Sequence, residues 1–180
     1  MRPTLETPRL ILRPLVLSDA PEVQRLAGAR EIADTTLTIP HPYRDGMAEQ
    51  WIETHDAQFA EGKMVTCGAT ERGGGALTGV ISLVLEREHA RAELGYWIGT
   101  PYWGRGYATE GARAMLRYAF SELGLSRVYA CHFSRNPASG KVMRKIGMKY
   151  EGCLRSHVRK WDRLEDIEVY GVLAGEWSGG

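Results

Sequence analysis

Apolar and polar positions along the chain fall first into short strand-like runs, then into one long stretch of helical spacing, then into strands again. Arg9-Leu10-Ile11-Leu12-Arg13 reads as a strand closed by Pro14, which has no amide to donate to a ladder. Ser18 or Asp19 offers a cap to a helix reaching Ala27, with Val23, Leu26 and Ala27 as its apolar face. Asp34 to Asp45, with Pro40 and Pro42, reads as a loop, and a second helix is expected over Met47 to Ala60. Strands Met64 to Thr70 and Ala76 to Leu85 flank Arg72-Gly73-Gly74-Gly75, whose glycines admit the positive φ of a hairpin turn.

A further strand runs from about Arg91 to Ile98. Ala108, Ala112, Met115, Leu116, Ala119, Phe120 and Leu123 then recur with helical spacing until Gly124 ends the helix. Arg127 to Phe133 is again a strand, Asn136-Pro137 opens a short helix that Gly147 ends, and Met148 to Val158 and Asp166 to Leu173 are two last strands. The pattern is mixed α/β (α+β): a mostly antiparallel central sheet of about seven strands flanked by about four helices. No repeat or linker divides it, so residues 1–180 are expected to form a single domain.

Composition narrows the function. Hydrophobic residues make up 43% and charged residues 25%, ordinary for a soluble globular protein, and a net charge of +1 gives no electrostatic case for nucleic acid. The 3 cysteines, Cys67, Cys131 and Cys153, are dispersed without a CxxC pair, so they read as reduced thiols and no metal is expected. Nothing resembles a signal peptide or a membrane span, which places the expected residence in the cytoplasm and excludes a membrane partner. The 5 histidines form no Ser/His/Asp or Cys/His pattern, so no covalent acyl-enzyme is expected.

The chemistry-bearing run is Glu93-Leu94-Gly95-Tyr96-Trp97-Ile98-Gly99, Thr100-Pro101-Tyr102-Trp103, then Gly104-Arg105-Gly106-Tyr107-Ala108-Thr109-Glu110: strand, turn and helix in immediate succession. A glycine-rich turn opening a helix exposes unpaired amides at the positive end of the helix dipole, a cradle for pyrophosphate. A dinucleotide-binding GxGxxG would need a glycine at Thr109, and a Walker A loop would need Gly-Lys-Ser/Thr; neither fits. A plain tight turn is the other reading of such glycines.

These residues resemble the GNAT superfamily of N-acetyltransferases, and within it the RimJ/RimL ribosomal-protein acetyltransferase branch. Trp103-Gly104-Arg105-Gly106-Tyr107-Ala108 is similar to the family signature Gln/Arg-x-x-Gly-x-Gly/Ala, with Trp at the first position. Thr7-Pro8-Arg9-Leu10-Ile11-Leu12-Arg13, Tyr107-Ala108-Thr109-Glu110, Asn136-Pro137-Ala138-Ser139 and Lys145-Ile146-Gly147-Met148 extend the resemblance over almost the whole chain. It implies acetyl-coenzyme A as co-substrate, with pyrophosphate on the backbone of Arg105, Gly106 and Ala108 and with Gly104 and Thr109 adjacent. It also implies a splay between the strands ending at Ile98 and Phe133 that takes the pantetheine arm. An amide near Ile98-Gly99 would polarise the thioester carbonyl. Asn136 matches a coenzyme-binding asparagine, and also suits a helix N-cap. Lys141, Arg144 and Lys145 either reach coenzyme phosphates or are solvated.

For the acid and base, strand alternation puts Glu93 on one face with Gly95 and Trp97, and family members use a glutamate in this strand as general base; a salt-bridged surface glutamate is the alternative. Glu110, in the first turn of a helix, is explained by the helix dipole. The family's usual acid, a tyrosine four residues before the glycine matched by Gly147, is Met143 here, and Ser139 is the substitute the branch suggests. His41, Tyr43, Trp51, Trp97 and the turn from His157 to Arg163 are candidates for acceptor contact, or for ordinary packing. The expected acceptor is the amino terminus of a protein or peptide. A small amine (polyamine, amino acid or aminoglycoside) and a non-catalytic coenzyme A-binding protein are the rivals, and a homodimer is the expected assembly.

Overall fold

A computed structural model describes Met1 to Gly179. The strands are β1 (Leu5–Glu6), β2 (Leu10–Arg13), β3 (Met64–Glu71), β4 (Leu77–Glu86), β5 (Arg91–Ile98), β6 (Arg127–Phe133), β7 (Lys149–Lys160) and β8 (Arg163–Leu173). The helices are α1 (Ala20–Ala27), α2 (Arg30–Thr35), α3 (Met47–Glu53), α4 (His55–Ala60), α5 (Tyr107–Ser121) and α6 (Pro137–Lys145). One sheet of 8 strands runs in the order β1-β2-β3-β4-β5-β6-β8-β7. Among the described residues only β5 and β6 pair in parallel, because α5 carries the chain back across the sheet between them, as a parallel connection requires.

Each face of the sheet has its own core. Ala92, Leu94 and Ile98 of β5 point toward α5, whose Ala112, Met115, Leu116 and Ala119 are fully buried against the sheet. The helix lies so close at Gly111 that a β-carbon there would fall 2.1 Å from Ile81 Cδ1. On the opposite face Leu15, Val23, Ile52, Leu77 and Val80 form a second core under α1 and α3, with Trp97 packed against it. That cover stops short of Val84, which is exposed, so this face of β4, β5 and β6 stays open at one end. Among the described residues no helix is long and apolar enough to cross a membrane.

The strand pattern and the glycine-bounded helices match the alternation in the sequence, and the departures have local causes. The eighth strand is the two-residue Leu5–Glu6, pairing with Leu12 and Ile11. Asp19 does not cap the next helix: its carboxylate accepts from the Val16 amide at 2.9 Å and from Arg13 at 2.8 Å. The stretch read as loop from Asp34 begins inside α2, a single helical turn and a half buried through Ile32 and Ala33. The helix expected from Met47 to Ala60 is two, broken at Thr54, whose hydroxyl donates to Trp51 O at 2.7 Å.

His55 opens α4 with a side chain only 2% exposed, edge-on to Trp51 at 4.5 Å, and neither ring nitrogen has a partner. Burial, with Arg2 nearby, lowers its pKa from 6.5 to about 4. The unfolded chain therefore binds a proton that the folded chain refuses. Stability from this group is complete above pH 6.5 and is lost as pH falls toward about 4, by at most about 1.4 kcal/mol per pH unit. Thermal melts between pH 7 and 4 are expected to show that decline in the native protein and a shallower one in His55→Phe; superimposable slopes would assign the acid lability elsewhere.

Candidate active site

The site begins where two strands part. β5 and β6 pair at Arg91/Arg127, Ala92/Val128 and Glu93/Tyr129, and there the ladder stops, although β5 continues to Ile98 and β6 to Phe133. The outer edges stay paired, β5 to β4 as far as Gly79/Ile98 and β6 to β8 as far as Phe133/Ile167. The Gly99 amide donates to Thr78 O at 2.8 Å. Antiparallel alternation from that bond turns the backbone groups of Trp97, Gly95 and Glu93 toward β4 and those of Ile98 and Tyr96 into the gap. Trp103 Nε1 occupies the Ile98 carbonyl at 2.5 Å, which leaves the Ile98 amide as the donor at the strand end. Gly99, expected beside Ile98, has its amide committed to Thr78 and packs against Leu26, where a β-carbon would come within 2.6 Å.

At the mouth of the gap the chain turns into α5. Gly104 and Gly106 have φ of 77° and 82°, a region that favours glycine, and Gly106 is the N-cap of α5 with no side-chain cap. The first helical bond is Glu110 N to Gly106 O, so the amides of Tyr107, Ala108 and Thr109 have no backbone acceptor. The turn is braced from outside. Glu110 accepts from the Thr7 hydroxyl at 2.7 Å, the Arg9 amide at 2.8 Å and the Arg9 guanidinium at 2.7 Å, and Arg9 also donates to Arg105 O at 2.9 Å. Tyr107 donates to Glu71 at 2.7 Å. The Arg105 side chain is exposed, 3.4 Å from Glu71 and over the Tyr102 ring.

Across the gap, Asn136 caps α6, its Oδ1 3.4 Å from the Ser139 amide. The side-chain amide NH2 of Asn136 is not used by that bond. The Tyr96 hydroxyl lies 2.8 Å from Ser139 Oγ and 3.1 Å from Ser139 O, and its single proton serves one or the other. Tyr96 therefore reaches from β5 to the helix that follows β6. Burial pushes its pKa up to about 12, with Ser139 pulling weakly the other way. Sequence reading passed over Tyr96; alternation opposite Glu93 was the available signal, but its partner became visible only once α6 was placed. Met143 is 1% exposed and part of the α5-side core.

On the open face Glu93 sits in a row with Val84 and Tyr129. Burial, then the nearby Glu86 carboxylate, raise its pKa, while the Tyr129 hydroxyl opposes the rise. Its acidic neighbours are paired: Glu86 accepts from Arg91 at 2.7 Å and from Tyr129 at 2.9 Å, and Glu151 is paired with Arg127. Glu93 has no ion pair among the described residues. Burial and Glu93 push the Cys131 thiol, on the same face, up to about 11, which keeps it protonated. Tyr43, Trp51 and Trp97 gather at the second core, whereas His41 is exposed on the loop. That loop is clasped to the β7–β8 turn by contacts no local pattern announces: Lys160 Nζ donates to Leu37 O at 3.1 Å and Ile39 O at 3.0 Å, and Arg135 bridges Asp34 and Glu165 at 2.8 and 2.9 Å.

Comparison with known proteins agrees with this architecture. The model of the family described as "Acetyltransferase (GNAT) domain" matches residues 9–149. The chain is 33% identical to the uncharacterized N-acetyltransferase YoaA of Bacillus subtilis, over 96% of this chain and 98% of that one. It is 31% identical to the ribosomal-protein-serine acetyltransferase of Escherichia coli, over 54% of this chain and 55% of that one. Mycobacterium smegmatis RimJ, solved with a coenzyme A disulfide, superposes with a TM-score of 0.85 at 21% identity, over 97% of this chain and 87% of that one, a likeness of fold.

The electrostatics of Glu93 can be read directly. In a carboxyl-carbon NMR titration Glu93 is expected to titrate above an ordinary exposed glutamate, Glu86→Gln to bring it down by removing a like charge, and Tyr129→Phe to raise it further by removing a hydroxyl. A Glu93 pKa indifferent to both substitutions would contradict this assignment of causes.

Proposed function

This chain belongs to the acetyltransferase (GNAT) family, and we propose that it transfers the acetyl group of acetyl-coenzyme A to a primary amine, the α-amino group of a protein or peptide being its acceptor. The observation that carries the reading is one continuous path: free amides at the start of α5, the unpaired gap between β5 and β6, and Glu93 on the open face beyond it. Coenzymes A bound in solved relatives of this fold, RimJ among them, support the choice of acyl donor.

The residues divide the work as follows. The amides of Tyr107, Ala108 and Thr109 face the coenzyme's diphosphate with the positive end of the helix. Asn136 offers its spare amide donors, and the gap-facing groups of Tyr96 and Ile98 offer a strand edge to the pantetheine amides. The Ile98 amide stands where it can polarise the thioester carbonyl. The acceptor nitrogen attacks that carbon, a C–N bond forms, the C–S bond breaks, and Glu93 receives the proton the nitrogen sheds. Ser139, its Oγ accepting from the Tyr96 hydroxyl, keeps its own proton to donate to the departing sulfur. A thiol of pKa about 8.5 leaves readily enough that no strong acid is needed at Met143.

The acceptor follows from charge. A polyamine or aminoglycoside calls for several uncompensated carboxylates, but Glu86 and Glu151 are each tied to an arginine and only Glu93 stands unpaired on this face among the described residues. One modest base suits a single α-amino group of pKa about 7.7 to 8.0, whereas a lysine amine of about 10.4 would cost roughly 3.5 kcal/mol more to present neutral. The ribosomal-protein-serine acetyltransferase among the relatives points the same way.

Thiol release from acetyl-coenzyme A, measured over peptides with Ser, Ala, Thr or Met amino termini and over spermidine, free amino acids and an aminoglycoside, is expected only with the peptides. Turnover confined to the small amines would overturn the acceptor, and tight coenzyme binding with no turnover at all would favour a non-catalytic role. Glu93→Gln is expected to lower kcat at neutral pH by about a hundredfold with coenzyme affinity kept. That loss shrinks as pH rises and the amine deprotonates unaided; an unchanged profile removes Glu93 as base. Gly106→Glu, which puts an anion and a strained φ in the cradle, is expected to abolish coenzyme binding.

A further inference from the structure

The chain from the last turn of α2 to the start of α3 is fastened at both ends and free in the middle. At its start Arg135 donates to Asp34 Oδ2 at 2.8 Å and to Asp34 O at 2.5 Å, while its Nε donates to Glu165 at 2.9 Å. Lys160 then donates to Leu37 O at 3.1 Å and to Ile39 O at 3.0 Å. At the far end Tyr43 packs on the second core beside the close of α1, where a β-carbon on Gly28 would lie 3.4 Å from its Cβ. Between these anchors Pro40, His41 and Pro42 are exposed and make no hydrogen bond among the described residues.

The anchors stand on opposite sides of the gap between β5 and β6. Arg135 follows β6, and Lys160 and Glu165 belong to β7 and β8, all on the β6 side of the sheet order. The second core, with Trp97 of β5 against it, lies on the β5 side, on the face that carries Glu93. Residues 40–42 therefore cross the open end of the gap on the face of Glu93. Two prolines in that stretch fix φ and restrict the residues before them, so the strap is stiff.

Lys160 is poorly suited to stabilising the fold as such. It is 6% exposed, it has no ion pair among the described residues, and its ammonium is given to two loop carbonyls. An apolar side chain of the same length would avoid the desolvation of a charge. The carbonyls it released would be hydrated, since Leu37 is exposed. What the ammonium supplies is the position of those carbonyls, and through them the path of the strap.

We propose that Lys160 and Arg135 are positioning residues for the acceptor: they hold residues 37–43 as a wall across the open end of the gap, against which the incoming amine is placed. The proposal rests on the acetyl-transfer reading above and gives neither residue a part in the chemistry. The groups assigned to the coenzyme are held independently, the Ile98 strand end by β4 and Trp103, and the start of α5 by Thr7 and Arg9 through Glu110.

Steady-state kinetics on the full chain test it, with the best acceptor of the panel above, beside calorimetry with coenzyme A, thermal melts and amide hydrogen exchange. Lys160→Met is expected to raise the acceptor KM about tenfold, and Arg135→Lys by a smaller factor, with kcat kept within about twofold. Coenzyme A affinity and the melting temperature stay put, while the amides of residues 36–44 exchange faster. If Lys160→Met does not fold, Arg135→Lys decides by the same split, since Arg163 still pairs Glu165 at 3.0 Å. A fall in kcat and in coenzyme affinity that matches the rise in KM shows a purely structural role and overturns the proposal. Faster exchange with an unchanged acceptor KM overturns the strap as acceptor wall, and unchanged exchange overturns the clasp itself; both leave the acetyltransferase reading standing. Coenzyme binding without turnover on any acceptor overturns the catalytic reading and this proposal together.

Discussion

The end of pairing between β5 and β6 after Glu93 and Tyr129 is the constraint on which the remaining structure depends. Backbone amides and carbonyls are rarely left without partners inside a fold, so a split in the middle of a sheet must be held open from both sides. Here β4 keeps β5 in register to Ile98, and β8 keeps β6 in register to Phe133. Tyr96 spans the gap to Ser139, and Trp103 closes over the Ile98 carbonyl. The parallel crossover through α5 then delivers the helix start to the open end of the same gap, so one topological decision aligns the strand edge with the exposed amides.

Those amides stay free because the chain denies them an internal partner. Gly106 at the N-cap has no side chain to fold back, and Glu110, the acid nearest the helix start, is turned outward to Thr7 and Arg9. Glu110 thus contributes charge to the helix dipole while tying the segment before β2 to the turn, a structural duty consistent with its place in the first turn. The cost of uncapped amides is offset by this external bracing and not by a cap.

Legibility tracked the range of the forces involved. β5 and β6 were readable close to their observed bounds because alternation and flanking turns fix a strand locally, and Gly104 and Gly106 were readable because their backbone conformation leaves little choice of residue. Leu5–Glu6, α2 and the break at Thr54 were not, since each is decided by contacts made after collapse: pairing with β2, burial of two residues, and a hydroxyl competing for a helical carbonyl. The site divided the same way. Glu93 followed from strand parity, whereas the Tyr96–Ser139 pair and the Lys160 clasp join residues 43 and more than a hundred positions apart.

Three glutamates share the open face, and they differ in their electrostatic surroundings. Glu86 and Glu151 have arginine partners and titrate below the ordinary range, so they stay ionised and spent. Glu93 is desolvated beside one of those fixed negative charges, and both effects raise its proton affinity. The arginines do this indirectly: by holding Glu86 ionised, Arg91 keeps in place the charge that raises Glu93. The carboxyl proposed as base is thus tuned by an ion pair it does not join, and the same pairing leaves less free negative charge on this face to draw in a polycation.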